Sequence, residues 1–121
     1  MMDKWQAQYT FWSSFGYPAH EENSVPDLKD ITYPYITYEA VGALPVNDTF
    51  VNVSVYTRST SLQQVAAIAE RIQKCFQNGG AEIRFDGGGF FLSAESNFIQ
   101  IMGDEKDTLI KRAVFSLVIH W

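Results

Sequence analysis

Side chains able to do chemistry are sparse in this chain and scattered along it. His20 stands next to Glu21 and Glu22, the adjacency of a general base and a carboxylate that would orient it. The other imidazole is His120, and Cys75 is the single cysteine. Gly87-Gly88-Gly89 invites a phosphate-loop reading, while Asp104, Glu105 and Asp107 crowd one short stretch in the manner of a cation site. Residues 31–45, "ITYPYITYEAVGALP", set Tyr33, Tyr35 and Tyr38 beside Glu39, and phenols next to a carboxylate suit a polar or cationic ligand.

Most of these candidates lack the context their chemistry needs. A phosphate loop closes on Gly-Lys-Ser/Thr and opens a helix, and a dinucleotide fingerprint needs a further glycine three positions on, where this chain has Leu92. The flanks "EIRF" and "FFLS" are strand-like, so residues 86–89 are expected to form a hairpin tip. His20 has no matching nucleophile, because Cys75 precedes Phe76 on an apolar helical stripe. The acidic stretch lacks EF-hand spacing and is interrupted by Lys106, which makes it a solvated turn. Strand alternation sends Tyr35 and Glu39 to one face and Ile36 and Tyr38 to the other, so the phenols cannot all line one pocket. No catalytic residue, cofactor site or metal site is predicted, and an enzyme is not expected.

Composition narrows the class. A chain of 121 residues makes one domain, 46% hydrophobic and 19% charged, which is globular rather than disordered. Its net charge of −5 argues against a dedicated nucleic-acid binder, yet suits a wall past which DNA slides without sticking. No stretch nears the roughly 20 apolar residues that span a bilayer. The opening residues lack the apolar run of a signal peptide, so the cytosol of the producing cell is the expected compartment. Three Trp, six Tyr and nine Phe exceed what so small a core absorbs, and the excess is expected at an interface.

The elements that must position these residues read as follows. Residues 4–15 form a helix with Trp5, Tyr9 and Trp12 on one stripe and Phe11 and Phe15 on a second, ended by Gly16 and Pro18. Residues 16–31 form a loop arm, and 32–121 the core of sheet and helix. Strands are expected over 35–41, with Pro34 leading into an edge strand, and over 49–57, where Val51, Val53 and Val55 oppose Asn52, Ser54 and Tyr56. A capping box at Ser61 and Gln64 starts the main helix, whose stripe is Leu62, Val65, Ile68, Ala69, Ile72 and Phe76. Residues 97–102 and 108–121 complete the strands after the 86–89 hairpin, the last being apolar on both faces. The whole describes an α+β two-layer sandwich: an antiparallel or mixed sheet packed by one main helix plus the N-terminal helix.

"YPYITYEAVG" followed by "FVNVSVYTRSTSLQQVAAIAERI" resembles the tail-terminator or tail-completion (head–tail joining) proteins of long-tailed bacteriophages. The likeness lies in Pro34 to Tyr38, in Val53 to Ser59 with its aromatic and Arg-Ser, and in Ile68-Ala69 with Ile72. It covers residues 31–77 well and the whole chain loosely, and residues 86–97 have no counterpart in it. The resemblance implies a homo-oligomeric ring, commonly a hexamer, that caps the tail tube, ends its polymerisation and joins it to a head-completion or connector protein. DNA would pass through without sequence-specific binding, and the protein would sit in the virion neck after assembly in the host cytoplasm. The residues expected at subunit or partner interfaces are Trp5, Tyr9, Phe11, Trp12, Tyr35, Glu39, Tyr56 and Arg58. The alternatives are another neck or tail component of similar fold, or a small ligand-binding domain using Tyr35 and Glu39.

Overall fold

The computed structural model describes residues 2–41, 49–77, 79–103 and 107–120. It is an α+β structure in which a mixed sheet, curled like half a barrel, packs with two helices. Helix α1 (Lys4–Ser13) leads to β1 (Ala19–Glu21), two single-turn 3-10 segments, and β2 (Tyr35–Tyr38). Then come β3 (Thr49–Arg58), α2 (Gln63–Gln77), β4 (Ala81–Phe85), β5 (Gly88–Gly103) and β6 (Ile110–His120). The spatial order is β1-β2-β3-β6-β5-β4, with β1 parallel to β2 and every other pair antiparallel.

The central ladder joins β3 to β6 from Thr49–Ile119 to Arg58–Ile110. Residues directly opposite in a ladder share a face, so Val51, Val53 and Val55 stand with Leu117, Phe115 and Ala113. Ile36 and Tyr38 extend that row outward from β2, and Leu92 extends it from β5. All are buried, in one cluster with Val65, Ile68, Ala69, Ile72 and Phe76 of α2. Burying each large side chain of this set contributes about 1.5–3 kcal/mol. The last strand is central in the sheet, and its second face is mixed, with Val114 and Val118 half-buried beside Arg112 and Ser116.

Three expectations are corrected. Helix α2 begins at Gln63, after exposed Leu62 (51%); Ser61 Oγ accepts from the Gln63 N–H (3.1 Å), and Leu62 lies before the helix rather than in its stripe. The loop arm contains β1, which pairs with β2, so Pro34 leads into an inner strand instead of an edge. Residues 88–103 are one long strand in place of two strands and an insert. Its register against β6 slips between Ala94 and Ile99, where the pairing is irregular. The 86–89 hairpin forms as expected, with Gly87 at φ +88° between paired Phe85 and Gly88. Gly80, at φ +108°, has no room for a Cβ, which would collide with the Leu92 carbonyl oxygen. The predicted "GALPVND" connection lies wholly outside the described residues, as do Asn78, Asp104, Glu105 and Lys106.

Helix α1 is tied down at two points. Asp3 caps it by accepting from the Gln6 N–H (2.8 Å). Trp12, 2% exposed, is ringed by Phe11, Phe15, Tyr38 and Phe76, with centroids 4.8–6.4 Å away, so it locks α1 to both β2 and α2. Gln8, also 2% exposed, was not singled out in the sequence. Its amide mimics a strand neighbour: Oε1 accepts from the Val41 N–H (2.7 Å) and Nε2 donates to the Val41 carbonyl (3.1 Å). It satisfies the backbone just past the end of β2.

Gln8→Ala is expected to leave both Val41 groups unpaired in the interior and to cost about 2–4 kcal/mol, read from urea unfolding. Thr57 is fully buried and its hydroxyl has no hydrogen-bond partner among the described residues. Thr57→Val is therefore expected to be neutral or stabilising by about 1 kcal/mol in the same measurement.

Candidate functional site

The sheet face opposite the buried row of Val53 and Phe115 carries the most organised group of polar and aromatic side chains. It is built by the outward phase of three strands: Tyr35, Thr37 and Glu39 from the β2 segment, Asn52, Ser54 and Tyr56 from β3, and Arg112 from β6. With Tyr33, Glu22, Val25 and Ile110 they line a cleft of about 340 Å³. Tyr35 faces Tyr56 across the ladder, and their rings stack at 4.8 Å and 12°. Tyr33 meets the edge of Tyr35 at 5.3 Å, and the Arg112 guanidinium lies 5.3 Å above the Tyr56 ring.

Arg112 is held as well as stacked. Its Nε and Nη2 both donate to Ser54 Oγ (3.2 and 3.0 Å), and Ser54 is buried. No carboxylate pairs with it among the described residues, where the ion pairs are Arg58–Asp107 and Arg84–Glu82. At the other end of the cleft, Glu39 Oε1 accepts from the Asn52 N–H (3.2 Å) while the Glu39 N–H donates to the Asn52 carbonyl (3.3 Å), so the carboxylate continues the β2–β3 ladder. Desolvation, followed by the charges of Glu39 and Glu21, raises the Glu22 pKa above the usual carboxylate value. Burial, with the neighbouring phenols Tyr33 and Tyr56, pushes Tyr35 up to about 12 against the lowering influence of Arg112. The Tyr35 phenol therefore stays protonated at neutral pH and is able to donate a hydrogen bond.

The residues expected at interfaces fall into separate groups. Tyr35, Glu39 and Tyr56 come together in this cleft. Arg58 does not join them: at the end of β3 it pairs with Asp107 (3.3 Å). Asp107 is held below its usual value chiefly by the Leu109 N–H and also by Arg58. Phe11 packs partly and Trp12 wholly against the core, leaving Trp5 and Tyr9 exposed at 54% and 52%. The stripe drawn through Trp5, Tyr9 and Trp12 is thus divided, its last member facing inward. Tyr38 is buried on the helix-packed face, away from Tyr35 and Glu39. Arg112 was missed in the sequence. Its signal was present, since it shares the phase of Ser116 on β6, but its partners Tyr56 and Ser54 lie more than fifty residues away.

The remaining candidates are structural. Glu21 accepts from the Asn23 N–H (2.9 Å) and from Asn23 Nδ2 (3.1 Å), which makes it a turn former rather than a partner for His20. His20 packs against Tyr35 at 6.1 Å. Burial raises the Cys75 thiol, which disfavours the reactive thiolate. His120 Nε2 lies 2.9 Å from Ser93 Oγ beside an open groove of about 610 Å³ that includes Glu82, Arg84 and Phe91. Among the described residues no three of His, Cys, Asp and Glu converge on one point.

Comparison of the chain with family models, with curated proteins and with solved structures gives no match. What the site can do is read from its own residues. It offers a stacked aromatic pair, one immobilised guanidinium and one acidic end, an arrangement suited to binding.

The raised Tyr35 value has a pH consequence. A phenol ionising near 10 when unfolded and near 12 when folded holds its proton more tightly in the folded state. Its stabilising effect is complete below about pH 10 and is lost as pH rises toward about 12. Relative to Tyr35→Phe, the wild type is expected to lose stability across that alkaline window and to show no relative change below it, as measured by urea midpoints against pH.

Proposed function

We propose that this chain is a structural protein of a long-tailed bacteriophage: a subunit of a ring that caps the tail tube, ends its growth and joins it to the head. The observation that supports this best is the division of α1. Ala7, Gln8 and Trp12 are buried, while Trp5 and Tyr9 are more than half exposed on the other side. Large aromatics left in water on an anchored helix are the usual mark of a protein contact.

A two-layer sandwich is part of this reading, with both helices on one face of the sheet and the Tyr35–Arg112 face left open. A closed ring of identical subunits needs two different mutually complementary patches on each copy. The outer side of α1 supplies one. The open sheet face, where Phe50 is 66% exposed, supplies the other. The family likeness in residues 34–38, 53–59 and 68–72 points the same way, and a net charge of −5 suits a channel that DNA crosses without adhering.

Light scattering and negative-stain microscopy of the purified protein, alone and with tail-tube protein, test the proposal. A ring, expected as a hexamer, that caps tubes supports it. A ring that leaves tubes uncapped moves the protein to another place in the neck. A monomer at every concentration, with and without tubes, overturns the proposal. The double variant Trp5→Ala, Tyr9→Ala is expected to weaken assembly by at least about tenfold. Its unfolding free energy is expected to stay within about 0.5 kcal/mol of wild type.

A further inference from the structure

The open-face cleft has charges of opposite sign at its two ends, with the stacked Tyr35–Tyr56 pair at the Arg112 end and Thr37 and Ser54 between the ends, and the ring reading uses none of this polarity. Tyr35, Tyr56 and Arg112 lie on one cross-strand row. Glu39 lies four residues along from Tyr35, beside Asn52. Their rows are four strand residues apart, about 13 Å along the backbone, and the Arg112 side chain leans toward the acidic end as far as Ser54. Glu22 lines the acidic end with Glu39, and desolvation, followed by the charges of Glu39 and Glu21, raises its pKa.

The Arg112 end is specific in its geometry. A guanidinium has five N–H donors. With Nε and Nη2 each given to Ser54 Oγ, the Nη1–Nη2 edge is the part left to accept a ligand. That edge matches the two oxygens of a carboxylate. The Tyr56 ring beneath and the Ser54 hydroxyl beside it fix the fork before any ligand arrives, which lowers the entropy lost on binding. The protonated Tyr35 phenol adds a donor nearby. Two acids at the far end disfavour a dianion such as a phosphate ester and favour a cationic group there.

We propose that this cleft binds the C-terminal end of an extended peptide segment, its terminal carboxylate on Arg112 and a basic side chain near its other end on Glu39 and Glu22. The residue bearing the carboxylate lies against the stacked Tyr35–Tyr56 pair, and the residue between the two charged ends crosses Thr37 and Ser54. The cleft's volume of about 340 Å³ suits two or three residues. A free amino acid carries both charges but leaves much of that volume empty.

Titration of the full chain with the tripeptide lysyl-alanyl-alanine, followed by amide chemical shifts, tests this directly. Binding in the submillimolar range is expected, with shifts centred on residues 35–39, 52–56 and 110–112. Amidating the peptide's carboxylate is expected to weaken binding by at least about tenfold, as is Arg112→Gln in the protein. Glu39→Gln leaves the Ser54–Arg112 contacts intact, and is expected to weaken the lysyl peptide but not trialanine. Free lysine that binds as tightly as the tripeptide would replace the peptide with a small zwitterion and overturn the proposal. Equal affinity for the amidated peptide, or no shifts at millimolar concentration, would overturn the cleft as a carboxylate site.

Discussion

The pairing of β3 with β6 decides where everything else goes. It is antiparallel and unbroken from Thr49–Ile119 to Arg58–Ile110, and it occupies the middle of the sheet. Because strand side chains alternate strictly, one register assigns every residue of both strands to a face. Val51, Val53, Val55, Ala113, Phe115 and Leu117 go to the side that α2 covers. Asn52, Ser54, Tyr56 and Arg112 go to the other. A slip of β6 by one residue would turn its side chains over, burying Arg112 in the place of Ala113 and exposing Phe115. The hydrophobic core and the polar cleft are therefore two results of one alignment.

The outer elements are joined to this ladder by side chains that act as backbone substitutes or as wedges. Gln8 pairs with Val41 through both its amide atoms, and Glu39 continues the β2–β3 ladder through its carboxylate. Trp12 wedges α1 between β2 and α2. Anchored in this way, α1 keeps one fixed orientation and presents Trp5 and Tyr9 outward in a constant geometry. An exposed aromatic on a loosely held helix would fold back onto the core. Here the inner positions are already filled, and the outward pair remains available to a neighbour.

Much of the architecture was legible in local pattern. The alternation of Val51, Val53 and Val55 gave β3 and its inward face, the helical spacing of Val65, Ile68, Ala69, Ile72 and Phe76 gave α2, and Asp86-Gly87 gave the hairpin. The short strand β1 escaped notice because three residues carry no periodicity, and its pairing with β2 is the only thing that makes it a strand. The continuity of β5 was hidden by "SAESN", whose polar residues look like a loop. The irregular pairing between Ala94 and Ile99 accommodates them within the strand. Gln8 looked like one more polar residue on a helix, since its value lies in a backbone group more than thirty positions away.

The candidate cleft was half legible. Alternation placed Tyr35 and Glu39 on a common outward face and separated them from Tyr38, because period two is a property of the strand itself. The stacking of Tyr35 on Tyr56, the capture of Arg112 by Ser54, and the departure of Arg58 toward Asp107 depend on which strands lie side by side and in what register. Local sequence determines which way a side chain points within its own strand or helix, through backbone geometry and hydrophobic periodicity. Which distant side chains meet there is a non-local property, settled only when the chain closes β6 against β3 and buries the face they share.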